Sequence, residues 1–218
     1  MDVNVNLRSI ALPVQHGGWG FWLEPVLVGL LVAPSAAGFW LALAGLGAFL
    51  LHQPLRLAAK DTLKGKRYAR TIWAWRFVAL YGVVTLVSFA LALAQAQQSF
   101  WAVLLLALPF ALVQLWHEFQ NEGREMLAEL AGAVAFGALA PAIALAGGTA
   151  LPLALALWAA LALRSVPSII YVRARLRVER GQAVSARPAV TLHLGGVALL
   201  AALVAGGLLH WGILLGGV

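Results

Sequence analysis

Residues 34–67 read PSAAGFWLALAGLGAFLLHQPLRLAAKDTLKGKR, and the order of residue types along them carries the fold. The stretch opens on an uncharged gap at 34–38 and runs through an apolar segment at 37–54. It then closes on Arg56, Lys60, Lys64, Lys66 and Arg67. A helix crossing a bilayer needs about 20 mostly apolar residues. A charge-free end, an apolar middle and a basic end describe one such crossing.

Outward from there the pattern repeats. Seven segments qualify as spans, at 17–34, 37–54, 74–94, 100–116, 127–146, 150–170 and 190–210. The gaps at 34–38, 95–99 and 147–150, and the tail after Leu209, contain no Asp, Glu, Lys or Arg. All fifteen Lys and Arg residues therefore fit on one side of a membrane. The positive-inside bias makes that side cytoplasmic. The N-terminus and the loops at 55–73, 117–126 and 171–189 are then inside, and the C-terminus outside. The expected fold is an all-α polytopic bundle of about seven spans in the bacterial cytoplasmic membrane, forming a single domain over 1–218. The short outer turns predict tight antiparallel hairpins.

Composition excludes the soluble classes. The chain is 62% hydrophobic and 11% charged, against roughly 25% charged in a soluble domain. The formal charge of +7 sits in short loops, where it suits anionic lipid rather than nucleic acid. The absence of cysteine removes disulfides, thiolate nucleophiles and Cys metal sites. Residues 1–12 lack the charged-then-apolar order of a cleaved signal peptide, so the first span is expected to act as the insertion signal.

Two boundaries stay open. Residues 190–218 carry no formal charge, and Gly206-Gly207 with His210-Trp211-Gly212 can break them into a helix plus a re-entrant end. His16-Gly17-Gly18-Trp19-Gly20 is a poor helix start, so the first span can begin unwound.

A spacing recurs at the inner ends of spans two and six. Pro54, Lys60, Lys64 and Arg67 share their offsets with Pro167, Arg173, Arg177 and Arg180, 113 residues later. The bases of each set fall at i, i+4 and i+7, on one helical face. An internal duplication that lost one helix gives this pattern, and so does chance among positive-inside loops. Such faces either converge on a phosphate-bearing ligand, for which Arg offers bidentate geometry, or hold lipid headgroups. Glu118, Glu122, Glu125 and Glu129 form an acidic counterpart at i, i+4, i+7 and i+11. If helical, they make one stripe that pairs with the bases or chelates a hard cation.

Charges inside a span are costly and point to function. Glu24 and Arg164 are the clearest, with His52 and Gln53 closing the second span and Arg76 opening the third. A Glu24–Arg164 pair is the simplest way to offset both desolvation costs; the alternative places them in the floor of a cavity. Arg76 reads as a snorkelling side chain. His16, His52, His117 and His193 lie near the inner face, where two of them facing each other would suit axial haem ligation. The Trp residues, such as Trp19, Trp73, Trp101 and Trp116, fit an interfacial belt.

The block Leu12-Pro13-Val14-Gln15-His16-Gly17-Gly18-Trp19, followed by Glu24-Pro25, resembles the start of the YwiC-like family of bacterial membrane proteins. Arg124 with Glu129-Leu130-Ala131-Gly132, and Arg164 with Tyr171-Val172-Arg173-Ala174-Arg175, resemble its later blocks, so the likeness runs through nearly the whole chain. It implies a membrane protein without a defined activity. A more distant likeness is to the UbiA-type intramembrane prenyltransferases, whose motifs lie at the inner ends of their second and sixth helices. Those motifs are Asp-rich and hold magnesium and a prenyl diphosphate. Here the places hold His52-Gln53-Pro54-Leu55-Arg56 with Lys60-Asp61, and Tyr171 to Arg175. The departure implies a related scaffold without magnesium-dependent transfer and without a metal site.

Three functions compete. In the first, an isoprenoid- or phospholipid-like anion binds at the inner face. Its ligand residues would be Arg56, Lys60, Glu129, Arg164, Tyr171, Arg173 and Arg175, and the acid–base group Glu24 with His16 or His52. The second is a small-anion transporter, suggested by repeats and Gly/Pro interruptions but disfavoured by the one-sided charge. The third is a non-catalytic subunit of a membrane complex, since Gly45-Leu46-Gly47 and the Ala-rich spans permit close packing within or between chains. Cofactor identity and oligomeric state are not specified by any motif.

Overall fold

In the computed structural model, which describes residues 6–13, 18–65, 68–120 and 122–210, every regular element is helical. In chain order these are α1 (Leu7–Ala11), α2 (Gly18–Val32), α3 (Ala36–Leu63), α4 (Ala69–Gln95), α5 (Trp101–Phe119), α6 (Met126–Gly137), α7 (Leu139–Ala146), α8 (Leu151–Glu179) and α9 (Arg187–Ala205). Six stretches are long and apolar enough to cross a membrane: α3, α4, α5, the α6–α7 pair as Met126–Ala146, α8 and α9. The protein is a multi-pass helical membrane protein. The remaining expected span is α2, whose 15 residues reach roughly 22 Å, short of the ~30 Å hydrocarbon core. Gly18 and Gly20 lie within it and are helical; the rest of the expected unwound start, His16 and Gly17, lies outside the described residues.

The 28 residues of α3 and 29 of α8 make rods of roughly 42 and 44 Å. Both overshoot the hydrocarbon by two turns or so at their basic ends, carrying Lys60, Lys64 and Arg173–Arg180 toward water. That shared shape, each with an interior proline (Pro54, Pro167), parallels the repeated spacing.

At the centre stands α7. Residues 140–146 are all buried, Ala140, Ala142, Ile143, Ala144 and Ala146 completely so; a helix apolar on every side belongs in a core. It is packed against α2, α3, α5 and α8. Small residues set the approach: a Cβ on Gly29 of α2 would stand 2.8 Å from Ile143 Cβ, and one on Gly38 of α3 3.0 Å from Ile143 Cγ2. The rim helices α4, α5 and α9 turn large side chains outward, such as Leu86, Leu106 and Leu194. In lipid such exposure carries no hydrophobic penalty.

The α6–α7 break has a local cause. Pro141 has no N–H to offer the Gly137 carbonyl and its ring crowds that turn. Ala138 donates to Ala135 instead of Val134, and the Val134 carbonyl is taken by the Trp158 indole N–H at 2.9 Å. Trp158 fits because Gly137 offers no side chain against its ring.

The helical hairpin α3–α4 is closed by Asp61. This buried carboxylate accepts from Arg70 Nε (3.0 Å) and Nη2 (2.7 Å) and from Thr71 Oγ1 (2.8 Å). Gly65 turns the chain between them at φ 63°. Gly47 lets α4 close in, its Cβ position lying 3.1 Å from the Thr85 nitrogen, while Gly45 faces Leu139. The Gly45-Leu46-Gly47 spacing thus serves packing inside the chain. The uncharged turns also meet, with Gln97 N–H donating to the Ala146 carbonyl (3.0 Å) and Gln98 to the Gly148 carbonyl (2.9 Å). At the far end α9 stops at Ala205, and Gly207 adopts φ 71°. The expected Gly206-Gly207 break is real; residues 211–218 lie outside the described set.

The condition for a single acidic stripe is not met. Glu118, Glu122, Glu125 and Glu129 do not form a continuous helical stripe. α5 ends at Phe119 and α6 starts at Met126. The loop between folds back, with Glu122 N–H donating to the His117 carbonyl at 2.8 Å. Glycine is a poor helix residue, and Gly123 interrupts the run. The outer members, Glu118 and Glu129, consequently serve different helices.

Candidate functional site

The end of α3 presents His52, Arg56 and Lys60 at i, i+4 and i+8, neighbours along one face. Opposite them α5 ends on Glu118, 5% exposed. His52 Nε2 lies 2.8 Å from Glu118 Oε2. The imidazole nitrogen thus occupies this buried carboxylate oxygen. Gly123 explains the enclosure. Its backbone lies against Glu118, and a Cβ there would sit 3.0 Å from the Glu118 Cγ. Any larger residue there would press on the Glu118 side chain.

Arg56 donates through Nη2 to Gln53 Oε1 at 3.3 Å, while its Nε is buried without a hydrogen-bond partner among the described residues. Gln53, also buried, donates to the Ser9 carbonyl of α1 at 3.4 Å. Arg56 and Lys60 both stand within electrostatic reach of Glu118. Two cations, one imidazole and one carboxylate thus gather in one partly buried cluster. α3 and α5 scarcely pack against each other, so these side chains, not helix contact, join them.

A second pair joins α2 to α8: Arg164 Nη2 meets Glu24 Oε2. This is the pairing that the two deepest charges suggested. A third joins α8 to α6, Arg173 Nη1 reaching Glu129 Oε2 and the Arg124 carbonyl, each at 2.8 Å. Farther out, Arg175 pairs with Glu179 at i+4 on an exposed helix surface. Tyr171 sets its ring edge-on to His193, centroids 6.3 Å apart.

The expected single anion pocket is therefore divided. His52, Arg56 and Lys60 gather on α3 around Glu118, whereas Arg164 and Arg173 are each held by a carboxylate of their own. The structure does not bring Glu24 and His52 together: the carboxylate on His52 is Glu118, and Glu24 meets Arg164. His16 lies outside the described residues. Glu118 escaped notice as a site residue because the glutamate spacing read as one helix face; Gly123 was the available signal. Asp61 escaped because its partner lies nine residues on, across the Gly65 turn. Among the described residues no three His, Asp or Glu side chains come together as a metal-ligand set.

Residues 12–144 match the YwiC-like protein family, from the end of α1 through most of α7. The chain belongs to the YwiC-like family. Its matched region contains Glu24, His52, Arg56, Lys60, Glu118 and Glu129; the resemblance noted at Arg164 and 171–175 falls beyond it. For this YwiC-like chain, comparison with curated proteins and with solved structures returns no match.

Proposed function

We propose that this YwiC-like protein resides in the bacterial cytoplasmic membrane, Lys/Arg face inward, and binds the anionic headgroup of an isoprenoid- or phospholipid-like ligand. The headgroup sits at His52, Arg56 and Lys60, opposite Glu118, with the apolar tail among the helices. The observation that carries this reading is the buried Arg56 Nε, which has no hydrogen-bond partner among the described residues. A buried donor without an acceptor costs about 1–3 kcal/mol, and an anionic oxygen removes that cost. The cluster keeps a positive balance even with Glu118 ionised. What supports a UbiA-like arrangement is that α3 and α8, the second and sixth spans, both carry bases past a proline at the same face. Against the transporter reading, the carbonyl released at the α6–α7 break is already bonded to Trp158 and is not free to hold an ion.

The test is extraction in mild detergent and mass spectrometry of co-purified lipid from wild type and Arg56→Ala. An anionic lipid enriched over its bulk share in the first and lost in the second supports the reading. Bulk proportions in both sink it.

A further inference from the structure

Ser9 lies in the short helix α1, where its carbonyl would accept from the N–H four residues on. That position is Pro13, which has no N–H. The donor comes instead from a neighbouring helix: Gln53 Nε2 of α3 reaches the Ser9 carbonyl at 3.4 Å. Tyr81 of α4 likewise donates its hydroxyl to the Ala11 carbonyl at 3.2 Å. Between these two bonds Ile10, 3% exposed, packs on Ala58 of α3 and Ala74 of α4. α1 is thus fastened across the α3–α4 hairpin at three points.

The Gln53 amide has a second task. It is buried, and its Oε1 accepts from Arg56 Nη2 at 3.3 Å. Its two partners allow one orientation. A carbonyl only accepts and a guanidinium only donates, so Nε2 faces Ser9 and Oε1 faces Arg56. Hydrogen bonds therefore run unbroken from α1 to a cation of the anion cluster.

We infer that α1 is a strap controlling the anion site, with Gln53 as the positioning residue: the Ser9 carbonyl orients its amide, and the amide holds Arg56 for the headgroup. This rests on the anion-binding reading above and adds the element that governs it. Seating of α1 and binding of the headgroup both depend on where Arg56 stands, so by linkage each strengthens the other. Glutamine suits the task because it offers a donor and an acceptor together; Leu offers neither, and an ionised Glu has no donor for Ser9.

The experiment uses the full chain in phosphatidylcholine nanodiscs titrated with dioleoyl phosphatidate. Gln53→Leu should weaken binding by about five- to tenfold. Tyr81→Phe releases α1 at a bond that does not involve Arg56, and should weaken binding by about two- to threefold. The readout that damage to packing alone would not move is backbone hydrogen exchange of residues 7–12. Phosphatidate should slow it several-fold in wild type, and Arg56→Ala should abolish the slowing. Wild-type affinity in either Gln53→Leu or Tyr81→Phe, or exchange at 7–12 indifferent to phosphatidate, overturns the strap and leaves anion binding standing. Failure of wild type to bind phosphatidate, or full binding by Arg56→Ala, overturns both. If Gln53→Leu does not fold in a thermal melt, the wild-type exchange comparison still decides.

Discussion

Trp158 of α8 donates its indole N–H to the Val134 carbonyl of α6, 2.9 Å away, at the point where Pro141 interrupts the α6–α7 span. Without that donor a backbone carbonyl would lie unsatisfied at membrane depth, where no water replaces it. Trp158→Phe keeps the ring and removes the bond. We expect a loss of about 1 kcal/mol or somewhat more, read as a lower melting temperature in detergent. Trp116→Phe, on the lipid-facing side of α5 at 65% exposure, is expected to stay near wild type. Equal shifts for the two would remove the special role of Trp158.

The α2–α7 contact sets a different prediction. Gly29→Ala would place its methyl 2.8 Å from Ile143 Cβ and 2.9 Å from the Ala140 carbonyl. Overpacking of this kind costs about 1–3 kcal/mol. Gly82→Ala, on α4 with nothing within 4 Å, should instead stabilise by up to about 1 kcal/mol through helix propensity. Opposite signs in the two thermal melts are the expected result.

Glu24 and Arg164 should behave as a coupled pair. Removing one charge strands the other, so Arg164→Gln and Glu24→Gln are each destabilising. The double variant should recover part of the loss, with a coupling on the order of 1 kcal/mol. Their partial exposure, 33% and 41%, keeps the expected size at the low end. Strict additivity in chemical or thermal unfolding would show that the contact does no energetic work.

The hairpin clamp is also separable. Asp61→Asn loses the bidentate carboxylate geometry toward Arg70 and weakens the Thr71 bond. A cost of about 1–3 kcal/mol is expected, with increased proteolysis at the 64–68 turn as a local readout. Unchanged cleavage there would argue that Gly65 alone holds the turn.

Topology can be read with single cysteines, because the chain has none of its own. In right-side-out spheroplasts, Gln98→Cys should react with a membrane-impermeant maleimide and Arg180→Cys should not. Inverted vesicles should exchange the two results. Both residues are exposed, so accessibility does not bias the comparison.

How far the site was legible follows from how local each signal was. Glu24 and Arg164 stood out because each is a formal charge well inside an apolar run, and few such charges need partners. The α9 stop was legible in Gly206-Gly207. His52–Glu118 was not legible as a pair. A regular glutamate spacing suggested one helix, and the decisive residue, Gly123, acts by allowing a loop to fold against Glu118. Asp61–Arg70 was hidden because only a turn brings residues nine apart into contact.

Sequence alone determined that the protein is a multi-pass helical bundle, where six of its spans fall, and that its charge gathers between them at alternate ends. Those properties arise from windows of about 20 residues against a fixed bilayer thickness, with no knowledge of neighbours required. Which carboxylate meets which base was decided only by tertiary structure. Those pairings depend on how each helix is rotated about its axis and how near it comes to α7. Rotation and approach are set by contacts such as Gly29 on Ile143 and Gly123 on Glu118, between residues far apart in the chain or brought together by a loop. The same packing left Arg56 Nε buried without a hydrogen-bond partner among the described residues, a condition that no spacing of residue types expresses.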